Sequence, residues 1–274
     1  MQDRTPAPVS VAGPESIEGL LISIRGVEHD YVKDRASIRA LEAVDIEVAA
    51  GEFVVLLGPS GCGKSTLLLI VGGLLAPSAG EVTIGGKRVT KPYTDLGFVF
   101  QDPALLEWRT ALRNILLQAE VRGLDRDAAR SRAGELMAST KLAGFEDAYP
   151  GELSGGMRSR VALCRALLHD PPLLLMDEPF AALDALTREQ MSIDLQSIWL
   201  QHRKTVLFVT HSISEAVFLA DRIVVFSPRP GRILDVLQVR IPRPRKLDDH
   251  ESPEFTQAVG RITDLLRSEG VLQE

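Results

Sequence analysis

With 274 residues, 45% of them hydrophobic and 25% charged, the chain has material for one large core or two small ones and an ordinary globular balance. A formal net charge of -6 argues against a protein that works by neutralising a nucleic-acid backbone. The longest apolar runs, Thr66 to Leu75 and Leu173 to Met176, are far shorter than the ~20 residues of a membrane-crossing helix, and Cys62 and Cys164 supply neither a disulfide framework nor metal-ligand spacing.

Residues 1–18 mix Pro, Ser, Asp and Glu without a cationic start or an apolar stretch, so they read as a flexible tail and not as a secretory signal. Leu21 to Val27 and Val44 to Val48 alternate apolar and polar residues, as strands do, around a loop at Asp34 to Ser37. The apolar run Phe53 to Leu57 then leads into Gly58-Pro-Ser-Gly-Cys-Gly-Lys-Ser65, and Thr66 to Val71 reads as a buried helix. Strand, glycine loop and helix start stand in the order a phosphate cradle needs. Glycines let successive N–H groups converge on one anion, and a helix opening near Gly63 adds its positive end. In this pattern Lys64 reaches the β- and γ-phosphates and the Ser65 hydroxyl holds Mg²⁺. Cys62 is read as a small residue at a tight turn.

A turn at Pro77 to Gly80 precedes a second antiparallel pair, Glu81 to Ile84 with Lys87 to Thr90, and Gly97 to Phe100 is a further short strand. Gln101 ends it, either an ordinary loop residue or an amide within reach of a metal ion and water. From Asp102 to Arg158 the pattern turns helical, notably at Arg109 to Val121 and Asp125 to Lys141, which suggests an insertion between two halves of one sheet domain. In Leu153-Ser-Gly-Gly-Met-Arg158, Ser154 stands as N-cap ahead of Gly155 and Gly156, so bare N–H groups open the helix Met157 to Leu168. One chain cannot easily aim two anion sites on separate lobes at one nucleotide, which makes a second copy attractive.

Leu173 to Met176, Thr205 to Val209 and Arg222 to Phe226 are short continuous apolar runs alternating with helices, the signature of a parallel sheet covered on both faces. The first ends in Asp177 and Glu178, at the strand edge where ligands bind in such sheets. In phosphate chemistry Asp177 would hold Mg²⁺ and Glu178 would orient or deprotonate the attacking water. Helix Ala185 to His202 carries Met191, Leu195 and Ile198 inward. His211 follows a strand at the same edge, where a γ-phosphate contact is the favoured reading over a plain surface residue, and Ser212 with Glu215 fits a capping box. Pro228 to Gly231 forms a turn, Ile233 to Val239 a strand and Pro242 to Lys246 a basic, proline-rich linker. Ser252 and Pro253 open a last helix with Phe255, Val259, Ile262 and Leu266 inward.

Together these residues resemble an ATP-binding cassette (ABC) ATPase, in order over about Leu21 to Phe226: phosphate loop Gly58 to Thr66, Gln101, signature Leu153 to Met157, carboxylate strand Leu173 to Glu178, Ala182-Leu-Asp184 and switch His211. Tyr31 matches the aromatic that stacks on adenine. Phe100 to Trp108, Leu153 to Met157 and Phe226-Ser-Pro-Arg-Pro-Gly-Arg232 look like the nitrate/sulfonate/taurine branch of bacterial importers. Met157 departs from the Gln found in many ABC proteins, and Glu107 from the Pro common in that branch.

The resemblance implies an α/β fold, a P-loop NTPase (ABC ATPase) core with an N-terminal antiparallel β subdomain and a helical insertion at about 102–160. The ATPase domain would span 19–241, with a linker and helix at 242–274. The implied ligands are ATP and Mg²⁺. Tyr31, Gly58, Pro59, Ser60, Gly61, Cys62, Gly63, Lys64, Ser65, Thr66, Ser154, Gly155, Gly156 and Asp184 would meet the nucleotide, with Ser65, Gln101 and Asp177 at the metal. Glu178, His211 and Gln101 would serve catalysis.

The same resemblance implies a head-to-tail homodimer and two transmembrane permease subunits. These would dock on Asp102 to Trp108 and the helical insertion, where Pro103, Leu105, Leu106 and Trp108 form an apolar group. An external solute-binding protein would act indirectly, and the chain would sit peripherally on the cytoplasmic face of the inner (cell) membrane. A soluble ABC ATPase acting on ribosomes or DNA usually has two cassettes or a long coiled coil, which this chain lacks. Glu178 and His211 speak against an ATP-binding adaptor without catalysis.

Overall fold

The computed structural model describes residues 19–33 and 36–271; the expected tail and two positions of the first expected loop, Asp34 and Arg35, lie outside them. Two long strands, β1 (Ile22–Lys33) and β2 (Ala36–Val48), open the fold and run well past the segments that alternate in sequence. Register shifts between Ile24 and Asp30 break the period of two, so the middle of this hairpin does not look like strand from its residues alone. β3 (Phe53–Leu57) and α1 (Lys64–Val71) follow, then β4 (Ala79–Ile84) and the short β5 (Lys87–Arg88). β4 pairs with β1, so the two expected hairpins form one antiparallel sheet in the order β2-β1-β4-β5.

β6 (Gly97–Val99) leads to three helices, α2 (Ala111–Arg122), α3 (Arg126–Ser139) and α4 (Gly155–Leu167). Beyond them come β7 (Leu173–Asp177), α5 (Ala185–His202), β8 (Thr205–Thr210), α6 (Ile213–Leu219), β9 (Arg222–Phe226), β10 (Ile233–Gln238) and α7 (Pro253–Ser268). The second sheet has the order β10-β9-β3-β8-β7-β6, parallel throughout except for β10 at its edge.

The continuous apolar strands serve both faces at once. Phe53, Val55 and Leu57 of β3, with Leu174, Met176, Val206, Phe208, Ile223 and Val225 from its neighbours, pack under α4 to α7. Val54, Leu56, Leu173, Leu175, Leu207, Val209, Val224 and Phe226 face the opposite way, onto α1 and the antiparallel sheet. A third core joins α2, α3 and α4 through Ile115, Met137, Val161 and Cys164. The expected stripe Val161, Cys164 and Leu168 is thus the helical-region face of α4, while Ala162, Leu163, Ala166 and Leu167 on its other face join the sheet. Burial pushes the Cys164 thiol up to about 12, which leaves it protonated and inert.

After β10 the basic segment turns inward. Arg243 donates to Asp221 at 3.0 Å and lies 4.4 Å over the Trp199 ring. Arg245, 2% exposed, donates to the carbonyls of Val217, Phe218 and Ala220 at 2.8–3.0 Å. Those are the unpaired last carbonyls of α6, where a cation is best placed. Gln196 of α5 brackets the Arg245 backbone, accepting from its N–H and donating to its carbonyl, both at 2.8 Å. Phe255, Ile262 and Leu266 of α7 then complete the sheet core, with Val259 packed beside them.

Arg245→Met keeps the stem but strips four carbonyls of their donor, those of Val217, Phe218 and Ala220 and that of Ile241 at 3.1 Å. It should cost on the order of 2–4 kcal/mol in urea unfolding; an unchanged midpoint would show that Arg245 is not an anchor.

Candidate active site

The loop between β3 and α1 owes its shape to two left-handed glycines, Gly61 at φ 76° and Gly63 at φ 106°. A Cβ on Gly63 would sit 2.7 Å from both Ala40 O and Leu41 Cδ2, so no larger residue fits. Lys64 is buried, and its ammonium donates to the carbonyls of Gly58 and Pro59, both at 2.8 Å, with Cys62 Sγ at 3.6 Å. Cys62 is buried as well. Ser60, Gly61, Gly63, Lys64, Ser65 and Thr66 line a pocket of about 350 Å³, within the roughly 300–1,000 Å³ usual for ligand sites. Tyr31, Ile38 and Ala40 from the antiparallel sheet join that wall, as do Gln101, Glu178 and Arg229. The Tyr31 and Thr66 hydroxyls are 3.1 Å apart.

Parallel pairing of β7 with β8 brings Asp177 opposite Val209, so the carboxylates and His211 emerge at one edge. The Ser65 hydroxyl donates to Asp177 Oδ1 at 2.8 Å. Burial raises the Asp177 pKa, against the pull of that hydrogen bond; nearby Glu178 adds to the rise and Lys64 opposes it. Glu178 has φ 42°, a left-handed conformation for a residue with a long side chain, which costs on the order of 1–3 kcal/mol. The bend parts the two carboxylates. Asp177 faces Ser65, while Glu178 Oε2 lies 3.0 Å from His211 Nδ1.

The turn carrying His211 differs from a capping box. The Ser212 hydroxyl accepts from the Glu215 N–H at 3.3 Å, but the Ser212 N–H donates to the Thr210 hydroxyl at 3.0 Å. That N–H being taken, Glu215 turns inward, and its Oε1 is buried without a hydrogen-bond partner among the described residues. Burial pushes its pKa up to about 7, opposed by a hydrogen bond from Thr210 and by the charges of Arg188 and His211.

Ser154 caps α4 by accepting from the Met157 N–H at 3.3 Å, and Asp184 caps α5 by accepting from the Thr187 N–H at 3.0 Å and its hydroxyl at 2.6 Å. Ser154, Gly155, Gly156 and Asp184 do not line the pocket within one copy. Past Gln101 the chain is fixed by residues that carry no motif signal. Arg165 donates to Pro103 O and Ala104 O, and fully buried Asn114 donates to the carbonyls of Leu106, Arg109 and Thr110.

The apolar group expected there divides: Leu105 packs into the cores, whereas Trp108 is 74% exposed. A separate groove of about 860 Å³ runs between the sheet and the helical region, lined by Leu74, Phe98, Phe100, Val121 and Leu124. Ile38, Ala40 and Arg229 at the pocket were not singled out from sequence. Only Arg229 had a signal, inside the quoted segment Phe226 to Arg232.

Residues 41–181 match the family model described as ABC transporter. An aliphatic sulfonates import ATP-binding protein, SsuB of Bacillus cereus, is 42% identical over 88% of this chain and 94% of its own length. A taurine import ATP-binding protein, TauB of Burkholderia pseudomallei, is 48% identical over 74% and 78%. Among solved structures, a dimeric post-hydrolysis ATP-binding cassette bound to ADP and Pi superposes with a TM-score of 0.72 at 34% identity, covering 81% of this chain and 100% of that one.

Between pH 4.5 and about 7 the folded protein keeps a proton on Glu215 that the unfolded chain gives up. That contribution to stability is full below the window and lost as pH rises through it. Glu215→Gln should therefore flatten the fall in melting temperature between about pH 5 and 8, measured without nucleotide; an unchanged slope would mean that Glu215 titrates as an ordinary carboxyl.

Proposed function

The chain belongs to the ABC transporter family, and from that premise we propose that it is the ATP-hydrolysing subunit of an importer for a small solute such as a sulfonate, taurine or nitrate. One observation carries the reading. The phosphate loop, Gln101 and Glu178 line one pocket at one sheet edge, and hydrogen bonds tie Asp177 to Ser65 and His211 to Glu178 directly behind that wall.

In this reading Tyr31 takes the adenine, the loop N–H groups and Lys64 take the phosphates, and His211 touches the γ-phosphate. Ser65, Asp177 and Gln101 are hard oxygen donors suited to Mg²⁺. Among the described residues no group of three His, Cys, Asp or Glu could hold a metal, which fits an ion completed by phosphates. Bound there, Mg²⁺ would neutralise charge on the β- and γ-oxygens. Glu178 orients a water whose oxygen attacks the γ-phosphorus; its proton passes to the carboxylate, the bond to the β-phosphate oxygen breaks, and ADP and phosphate result.

Ser154, Gly155 and Gly156 open α4 away from this pocket, which supports a second copy presenting them head to tail; Asp184 would lie at that junction. That a similar solved cassette is dimeric supports a dimer here as well. The membrane path belongs to two permease subunits, on whose cytoplasmic face the dimer sits, and an external binding protein delivers the solute. The groove beside Phe100 suits a permease helix, since Leu74, Phe98, Phe100, Val121 and Leu124 give it an apolar stretch among polar neighbours such as Asp95 and Arg122, and Val121 is 78% exposed.

Glu178→Gln should keep ATP affinity, slow hydrolysis by about a hundredfold or more, and give a dimer by light scattering only with ATP. Unchanged turnover would remove Glu178 from its role, and an ATP-bound monomer would count against the shared site. Val121→Asp should abolish co-purification with the permease while the isolated subunit's ATPase rate holds; retained association would move the docking surface elsewhere.

A further inference from the structure

The turn between β9 and β10 has no part in the scheme above, yet it is built against the pocket. Ser227 folds it. Its N–H donates to Arg232 O at 2.9 Å, and its hydroxyl donates to Pro228 O at 2.8 Å and Pro230 O at 2.9 Å while accepting from the Arg232 N–H at 3.1 Å. Gly231 then docks the turn onto β2, donating to Ala40 O at 2.9 Å and accepting from the Glu42 N–H at 3.0 Å. A Cβ on Gly231 would lie 2.0 Å from Cys62 O, so only glycine lets the turn wedge between β2 and the back of the phosphate loop.

That wedge presents Arg229 on the pocket wall with Tyr31, Ile38 and Ala40. No hydrogen bond or ion pair to a described residue holds its guanidinium, and the side chain is exposed. Arginine's flat, weakly hydrated cation is suited to stacking on an aromatic plane. Anchored at Ala40 and Cys62, the turn belongs to the Tyr31 end of the pocket; the γ-phosphate end is marked by Asp177 and Glu178. We propose that Arg229 is a nucleotide-binding residue whose guanidinium lies against the purine and ribose, so that the turn after β9 is a third wall of the nucleoside site beside Tyr31 and β2. The proposal rests on the ATPase reading and adds to it a contact from outside that reading's motifs.

The test is calorimetric titration of the full chain with ADP and with a non-hydrolysable ATP analogue. Arg229→Ala should weaken both by the same factor, about 5- to 30-fold. Arg229→Lys should recover only a small part, because an ammonium lacks the plane. The nucleotide-free melting temperature should stay at the wild-type value. Unchanged affinity for both nucleotides would overturn the proposal. A loss confined to the ATP analogue would do so too, by placing Arg229 at the γ-phosphate. Wild-type protein that bound neither nucleotide would overturn the ATPase reading itself, and this contact with it.

Discussion

The register of three parallel strands underlies everything at the candidate site. β3 pairs with β8 so that Leu57 faces Thr210, and β8 pairs with β7 so that Val209 faces Asp177. The phosphate loop, the carboxylates and the His211 turn therefore leave the sheet at one level. Slipping one strand by a single residue would reverse its faces, sending Phe53 or Phe208 towards α1 and moving each functional group along the edge. The two faces are not interchangeable. Larger side chains, including Phe53, Phe208 and Met176, fill the side under α4 to α7, whereas the α1 side takes mainly Val and Leu from the same strands. Packing specifies the register, and the register aligns the chemistry.

α4 is the member that ties the helical region to this sheet. Its two stripes belong to different cores, so it cannot turn without disturbing both. It also supplies Arg165, which holds the carbonyls of Pro103 and Ala104 just past Gln101, and its first turn is the Ser154 cap. One rigid helix thus links the glutamine at the pocket wall, the glycine pair expected to meet a second copy and the groove beside Phe100. The three are joined through packed side chains and carbonyl hydrogen bonds.

Local chemistry was legible in the sequence where backbone geometry demands particular residues. Gly61 and Gly63 are needed for positive φ, Ser154 and Ser252 are N-caps, and the apolar runs ending in Asp177 and Val209 are buried strands. Fold class followed from the alternation of those runs with helices, and the likeness to solved cassettes agrees with it. What stayed hidden depends on partners distant in the chain. Arg243 and Arg245 read as a charged linker because nothing nearby shows that Asp221 and the end of α6 await them. Glu215 read as half of a capping box because the pattern cannot show that Thr210 already occupies the Ser212 N–H. Arg229 looked like part of a turn because its pocket is completed by strands almost 200 residues earlier.

α6 shows how the far C-terminal segment bears on the site. With seven residues it is too short to persist on its own. Its structure comes from outside: the Thr210 and Ser212 hydroxyls order its first turn, and Arg245 gathers the carbonyls at its end. Phe218 meets the His250 ring edge-on at 5.5 Å, and His250 stacks on Phe255 at the start of α7, 4.4 Å away. The helix is therefore clamped between the residue that faces Glu178 and a segment 30 to 50 positions further on. His211 stands on the turn that opens α6, so fraying of α6 would release that turn. The C-terminal helix thus completes the support of the site without contributing an atom to the pocket.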